Sequence, residues 1–118
     1  MTQISKDNQV VTLINVFSVD PEKQEELIDI LIRATRETMQ DLPGFVSANI
    51  HKSLDKKRVV NYAQWKSKED FESMLKNPEA ARHMKKVLSI AKSEPFLYEV
   101  VESITGRNEH PRQKGIRI

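Results

Sequence analysis

The sequence predicts one α+β domain whose elements follow the order βαββαβ, giving a four-stranded antiparallel sheet with helices on one face. Its 118 residues are enough for a single domain. Segments rich in β-branched and aromatic residues alternate with segments whose apolar residues recur at helical spacing. The chain has no cysteine, which excludes disulfides, cysteine-ligated zinc, iron–sulfur clusters and a thiol nucleophile.

A change of hydrophobic period marks the first strand and the first helix. Residues 10–19 are rich in Val, Ile and Phe, as strands are. Asp20 and Pro21 then provide a helix N-cap and a proline at the first helical position. Apolar residues recur at helical spacing as far as Leu42, and Pro43-Gly44 predicts the end of this helix.

The middle of the chain predicts a β-hairpin. Residues 45–53 alternate well enough for a second strand, and residues 58–65 (RVVNYAQW) predict a third. Residues 55–57 (DKK) lie between them and predict the hairpin turn.

The last third of the folded chain predicts two short helices and a fourth strand. Ser67, with Asp70 three residues later, resembles a capping box, and Asn77-Pro78 opens a further helix. We interpret Pro95 as the end of the following loop, so that the fourth strand spans residues 96–104. The resulting order is the ferredoxin-like pattern.

The charge distribution separates a tail from a nearly neutral body. Residues 105–118 hold four basic residues and one acidic residue, which leaves 15 basic and 16 acidic residues in 1–104. A nucleic-acid-binding domain is expected to carry a basic face on its folded part, so we expect no nucleic-acid partner. We divide the chain into a polar N-terminal arm (1–9), a folded domain (10–104) and a basic tail (105–118).

The hydropathy pattern argues against a membrane role. No apolar run approaches the ~20 residues that cross a bilayer. The polar start MTQISKDNQ lacks the apolar core of a signal peptide. We therefore expect no membrane partner and a cytoplasmic location.

The first strand is apolar on both sides. Leu13 and Phe17 face one side of the predicted sheet, whereas Ile14 and Val16 face the other. The predicted helices cover one face only, and a strand that is apolar on both sides needs cover on both. A second copy of the chain is the simplest cover, which predicts a homodimer. The alternative is a monomer whose open face is less apolar.

The third strand places an unusual set of side chains on one face. Asn61 and Trp65 share a face, about 13 Å apart along the strand, with the small Ala63 between them. An amide, a gap and an indole together predict a pocket floor. The alternative is structural, with the single Trp in the core and the Asn at an edge or bulge.

One combination of motifs resembles a known family. It consists of PGFVSA at 43–48, His51, VVNYAQW at 59–65, and the pair Ser67 and Glu69. This combination resembles the antibiotic biosynthesis monooxygenase family, and in particular the small anthrone-oxidising monooxygenases of aromatic polyketide pathways. The resemblance implies a dimeric ferredoxin-like barrel that oxidises a small hydrophobic aromatic substrate with O2, with no flavin, haem or metal cofactor. It also implies catalytic roles for Asn61 and Trp65.

The same resemblance suggests further substrate-binding positions. The anthrone oxidisers place a Tyr where this chain has Phe71, another Tyr at Ile50, and an Arg near Met84. A haem-degrading branch of the superfamily uses an Asn that matches Asn15, and its Trp and His would fall at Met74 and Met84. We therefore predict substrate-binding roles for Asn15, Phe71, Met74 and Met84.

The chemistry that the resemblance implies requires removal of a proton. A deprotonated, electron-rich substrate gives an electron to O2, and the Asn61 amide and the Trp65 ring would stabilise and orient the anion. Histidine is the usual base near neutral pH. His51 and His83 are therefore candidate catalytic bases, and His110 in the tail is the least favoured. The alternative for His51 is a surface residue, and for His83 a residue at the boundary of a helix face.

The sequence thus predicts a cofactor-independent monooxygenase of a small aromatic or quinol-like, polyketide-type compound. One alternative is a dimeric protein that binds a small hydrophobic molecule without turning it over. Haem degradation and isomerisation are further alternatives within the same superfamily. Oxygen uptake on a panel of anthrones and quinols distinguishes the enzyme from the binding protein.

Overall fold

A computed structural model describes residues 2–108 and confirms the predicted fold class. Within these residues, four strands and three α-helices alternate in the predicted order. They are β1 Val11–Val19, α1 Gln24–Glu37, β2 Phe45–Lys52, β3 Arg58–Trp65, α2 Lys68–Leu75, α3 Pro78–Leu88 and β4 Ala91–Tyr98. Short 3₁₀ turns flank α1 at Pro21–Lys23 and Met39–Asp41. No helix of the described part is long and apolar enough to cross a membrane.

The four strands form one antiparallel sheet in the order β2-β3-β1-β4, which makes β1 and β3 the central strands. In their register, Leu13 lies opposite Ala63 and Asn15 lies opposite Asn61. Because side chains alternate along a strand, the odd-numbered residues of β1 and β3 all face the helices. This helix-covered side of the sheet is called the inner face below.

The core lies between the inner face and the helices. Its fully buried apolar side chains come from two strands and two helices: Phe17, Leu27, Val59, Trp65 and Val87. These contacts fix α1 and α3 against the sheet. They thereby fix which side chains the helices present to the inner face.

The first helix ends before the predicted Leu42. Regular helix stops at Glu37, and Thr38 leaves the helical conformation with φ −130° and ψ −62°. Thr38 is buried, and its hydroxyl lies 3.1 Å from the imidazole Nε2 of His83 on α3. The apolar spacing continues through the 3₁₀ turn that follows, which is why the pattern predicts a longer helix.

The prediction of β4 over residues 96–104 was wrong, because the strand spans Ala91–Tyr98. Among the described residues β4 pairs with β1 alone, from Ala91 opposite Val19 to Tyr98 opposite Thr12, and the pairing does not continue into residues 99–108. Pro95 lies inside the strand rather than before it. An edge strand tolerates proline because one side of its backbone needs no ladder hydrogen bond.

The N-terminal arm packs on the outer face of the sheet, opposite the helices. The Gln64 side-chain Nε2 donates to the Gln3 carbonyl at 2.7 Å, and the Asn49 Nδ2 donates to the Thr2 hydroxyl at 2.7 Å. Gln64 is 1% exposed. Residues 1–9 are predicted to be a polar arm, and in the structure Thr2 and Gln3 of this arm cover one end of the outer face.

Candidate active site

A cavity of about 1020 Å³ lies between the inner face and the helices. Seven of the eight predicted site residues line it: Asn15, Asn61, Trp65, Phe71, Met74, His83 and Met84. The strands supply its floor, and α1, α2 and α3 supply its walls. Most of the lining is apolar, as is usual for a pocket that binds a small organic molecule.

Two amides form a polar row across the floor. Asn15 on β1 and Asn61 on β3 are directly opposite each other in the strand register. The Ser93 hydroxyl on β4 donates to Asn15 Oδ1 at 2.8 Å, which fixes the orientation of that amide and leaves its Nδ2 for another partner. Asn61 Oδ1 is buried and has no hydrogen-bond partner among the described residues. A hydrogen bond within the protein therefore fixes the Asn15 amide, whereas no described residue donates a hydrogen bond to Asn61 Oδ1.

An aromatic cluster forms one end of the cavity. Trp65 is 2% exposed and meets Phe45 edge-to-face at a centroid distance of 5.4 Å. It meets Phe71 of α2 in a second edge-to-face contact at 6.2 Å. Such pairs add stability beyond the area they bury. Trp65 therefore belongs to the core and lines the cavity, so the two sequence interpretations of this residue are not exclusive.

His83 is the imidazole at this cavity. α3 presents it to the space, and its Nε2 lies 3.1 Å from the Thr38 hydroxyl at the end of α1. Thr38 is buried, so its hydroxyl contacts the His83 ring from within the protein rather than from the solvent. Thr38 and Ser93 contact His83 and Asn15, and the sequence alone does not predict these neighbours. No local signal marks them, since their partners lie 45 and 78 residues away in the chain.

His51 does not reach the cavity. It is exposed on β2, and its Nδ1 lies 3.1 Å from the Asn49 carbonyl. Its register partner on β3 is Val60, an even-numbered residue of the outer face. The sequence offers both His51 and His83 as candidate bases, and the structure places His51 on the outer face of β2 and His83 at the cavity on α3. His110 lies outside the described residues.

The remaining predicted contacts make one side of the cavity apolar. Phe71 and Met74 are each 9% exposed, and Met84 is half-buried on α3. Ile50, at the other position where the resembled enzymes have Tyr, is half-buried and lies opposite Asn61 on β2. Across residues 2–108, no group of three or more His, Cys, Asp or Glu side chains is placed to hold a metal ion.

Comparison with known proteins places these observations in a family. Residues 10–86 match the family model described as antibiotic biosynthesis monooxygenase. The chain is 44% identical over 103 residues to the tetracenomycin-F1 monooxygenase of Streptomyces glaucescens, which covers 87% of this chain and 92% of that protein.

Solved structures give the same result. A monooxygenase from ActVA-Orf6 of Streptomyces coelicolor, in complex with nanaomycin D, has a TM-score of 0.74 and 26% identity, covering 82% of this chain and 92% of that one. SnoaB, a cofactor-independent oxygenase from Streptomyces nogalater, has a TM-score of 0.62 and 25% identity, covering 89% of this chain and 100% of that one. The sequence resemblance is thus confirmed at the level of the family.

Proposed function

Because the chain belongs to the antibiotic biosynthesis monooxygenase family and is a monooxygenase, we propose that it oxidises a polycyclic phenol of the polyketide type, using O2 and no flavin, haem or metal. The relatives support this substrate class, since one is named for tetracenomycin F1 and another holds nanaomycin D. SnoaB, described as cofactor-independent, supports the absence of a cofactor. The apolar cavity of about 1020 Å³ has room for a fused-ring compound.

The reaction that fits this site converts a ring methylene group into a carbonyl group. A base removes one proton from the substrate, and the enolate gives one electron to O2. The resulting superoxide and substrate radical combine to form a C–O bond. The peroxide takes the first proton back from the base to form a hydroperoxide, which then loses the second C–H proton and a hydroxide as water, so one oxygen atom enters the product. The substrate supplies all four electrons, so no external reductant is needed.

The main support for this proposal is the amide oxygen of Asn61, which is unpartnered in the described part of the chain. Its Oδ1 is buried without a partner among the described residues, although buried polar atoms in proteins are nearly always hydrogen-bonded. Exceptions of this kind need an explanation, and substrate binding at the cavity floor provides one. A substrate hydroxyl can donate to this Oδ1, and the amide N–H would donate to the oxygen that becomes negative when the substrate loses its proton.

Asn15 provides a second donor in the same row. Ser93 occupies its Oδ1, which leaves the Nδ2 hydrogens for the substrate. Two amides on adjacent strands, held by the sheet, form a donor pair that need not reorganise during the reaction.

His83 fits the role of the base. It lines the cavity, and the Thr38 hydroxyl holds its Nε2, so the ring has a fixed orientation before substrate enters. The same imidazole can return the proton to the leaving hydroxide, which gives water. The apolar side chains of Phe71, Met74 and Met84 would pack against the rings and exclude bulk water from the anion.

Labelled oxygen tests the proposal. The purified chain, freed of flavin and treated with a chelator, is supplied with a polycyclic anthrone and ¹⁸O₂. We expect one labelled atom in the product carbonyl, the other in water, and oxygen uptake equal to substrate consumed. Turnover that depends on added flavin or metal, or a product labelled from H₂¹⁸O, would contradict it.

The outer face supports a second proposal, that two copies associate through their sheets. Ile14 and Val16 are only half-buried there, and Phe96 and Tyr98 of β4 are 61% and 48% exposed. The N-terminal arm covers the end of this face near Gln64 and leaves the rest open. We expect analytical ultracentrifugation at micromolar concentration to show a dimer and Val16→Lys to give a monomer; a monomeric wild-type chain would contradict it.

A further inference from the structure

The charged groups around the cavity are unevenly distributed. Among the described residues that line it, none is Asp, Glu or Arg, and Lys85 is the only Lys. In the sequence Lys85 is followed by Lys86, and such a pair on a helix usually belongs to a solvated face. The structure separates the two, since Lys85 lines the cavity and Lys86 does not.

Lys85 lies on the side of α3 that borders the entrance. Ala81, Lys85 and Leu88 share one stripe of the helix, because residues four and seven positions apart lie on the same side. All three line the cavity, and Leu88 is 55% exposed. Pro95 of the edge strand β4, opposite Asn15 on the inner face, also lines the cavity and is exposed. The cavity therefore opens between α3 and β4, and Lys85 lies at this rim.

The Lys85 ammonium is not used by the fold. The neighbouring Arg82 pairs with Glu79 one turn earlier on the same helix. None of the ion pairs formed within residues 2–108 involves Lys85. A cation that lacks a protein partner at the rim of an otherwise uncharged cavity attracts an anionic ligand and repels a cationic one.

We infer that Lys85 binds an acidic substituent, such as a carboxylate, on a polycyclic substrate. The inference rests on the proposed function and narrows its substrate class. The rings would lie in the apolar part of the cavity, and the reacting oxygen would meet the amides of Asn15 and Asn61. The acidic group would stay at the entrance beside Lys85. The substrate class is then a carboxylated polycyclic phenol rather than a neutral anthrone.

A pair of unreactive probes tests this subsite apart from catalysis. 9,10-Anthraquinone-2-carboxylate and its neutral 2-carboxamide have the same ring system and differ in charge. Trp65 is the only Trp of the chain and lines the cavity, so quenching of its fluorescence reports binding. We expect the wild-type chain to bind the carboxylate about 3- to 10-fold more tightly than the carboxamide at low salt, with the preference falling as salt screens the rim.

Three variants make the test specific. Lys85→Met keeps most of the aliphatic stem and removes the charge, so it should bind both probes with the affinity that the wild-type chain has for the carboxamide. Lys85→Arg should restore the preference. Lys86→Met, the matched control on the same helix, should leave both affinities unchanged.

The results overturn the inference if the wild-type chain shows no preference, if Lys85→Met retains it, or if neither probe binds. The fate of the proposed function is read separately, from oxygen uptake. A chain that prefers the carboxylate through Lys85 and consumes no O2 supports the subsite and refutes the oxidation. A chain that oxidises neutral and carboxylated anthrones with equal KM supports the oxidation and refutes the subsite.

Discussion

Gly44, between α1 and β2, joins the turn before β2 to the first turn of α2. Its φ of +81° lies in the left-handed region, which costs an L-residue about 1–2 kcal/mol. A methyl group on its Cα would also overlap the Cβ and carboxylate of Asp70. Asp70 accepts a hydrogen bond from the Ser67 hydroxyl at 3.0 Å, and its backbone N–H donates to the same hydroxyl at 3.0 Å. Moving Asp70 therefore disturbs the N-cap of α2, at a cost of about 1 kcal/mol.

Gly44→Ala should thus lower the free energy of unfolding by about 2–3 kcal/mol, from these two contributions. In a domain of this size, that corresponds to a fall in Tm of about 8–12 °C. Differential scanning calorimetry measures it, with Gly106→Ala as the control, because a Cβ at Gly106 meets nothing within 4 Å. Equal Tm values for the two variants would refute the reasoning. We expect KM to rise as well, since α2 carries Phe71 and Met74 of the cavity.

Three further outcomes follow from other parts of the structure. Thr38→Val keeps the shape but removes the hydroxyl beside His83, so kcat should fall about tenfold; an unchanged kcat would contradict this. The Lys57 backbone N–H and the Ser53 hydroxyl lower the pKa of Asp55 in the β2–β3 turn. Ionised Asp55 therefore stabilises the fold above about pH 4, and the Tm deficit of Asp55→Ala at pH 7 should shrink as the pH falls through that lowered pKa; a deficit that is independent of pH would contradict it. With Met74 and Met84 at the positions that haem degradation needs, a haem titration should give no sharp Soret band, and a stoichiometric band lost on His83→Ala would contradict this.

The elements that the sequence predicts best are those with strong local signals. The bounds of β3 are those predicted, because a hairpin turn precedes it and a helix cap at Ser67 follows it. The bounds of β4 differ from the prediction because pairing with β1 sets where this edge strand begins and ends. The segment 99–104 (EVVESI) contains two Val and one Ile, which favour a strand, but β1 offers it no partner. Pro95 is compatible with a strand only at an edge, and the strand order is not visible in the composition of the segment.

The candidate site was predictable only in part, because some of its contacts join segments that are far apart in the chain. Alternation along β3 places Asn61 and Trp65 on one face, and the structure keeps them there. That Asn15 is the direct neighbour of Asn61 depends on the β1–β3 register, which links residues far apart in the chain. The choice between His51 and His83 depends on the β2–β3 register, which turns His51 to the outer face, and on the packing of α3, which brings His83 to the cavity. Thr38 lies beside the candidate site because the end of α1 contacts His83 on α3.

The most direct test of the account is the effect of Asn61→Ala on turnover and on Tm together. If the amide binds the developing oxyanion, turnover should fall about 10²–10³-fold. Tm should stay the same or rise, because the substitution removes a buried oxygen that has no partner in the described structure. Asn8→Ala, in the N-terminal arm, is the matched control and should leave turnover unchanged. An Asn61→Ala variant with normal turnover and a lowered Tm would contradict the account, since the residue would then support the fold and not the reaction.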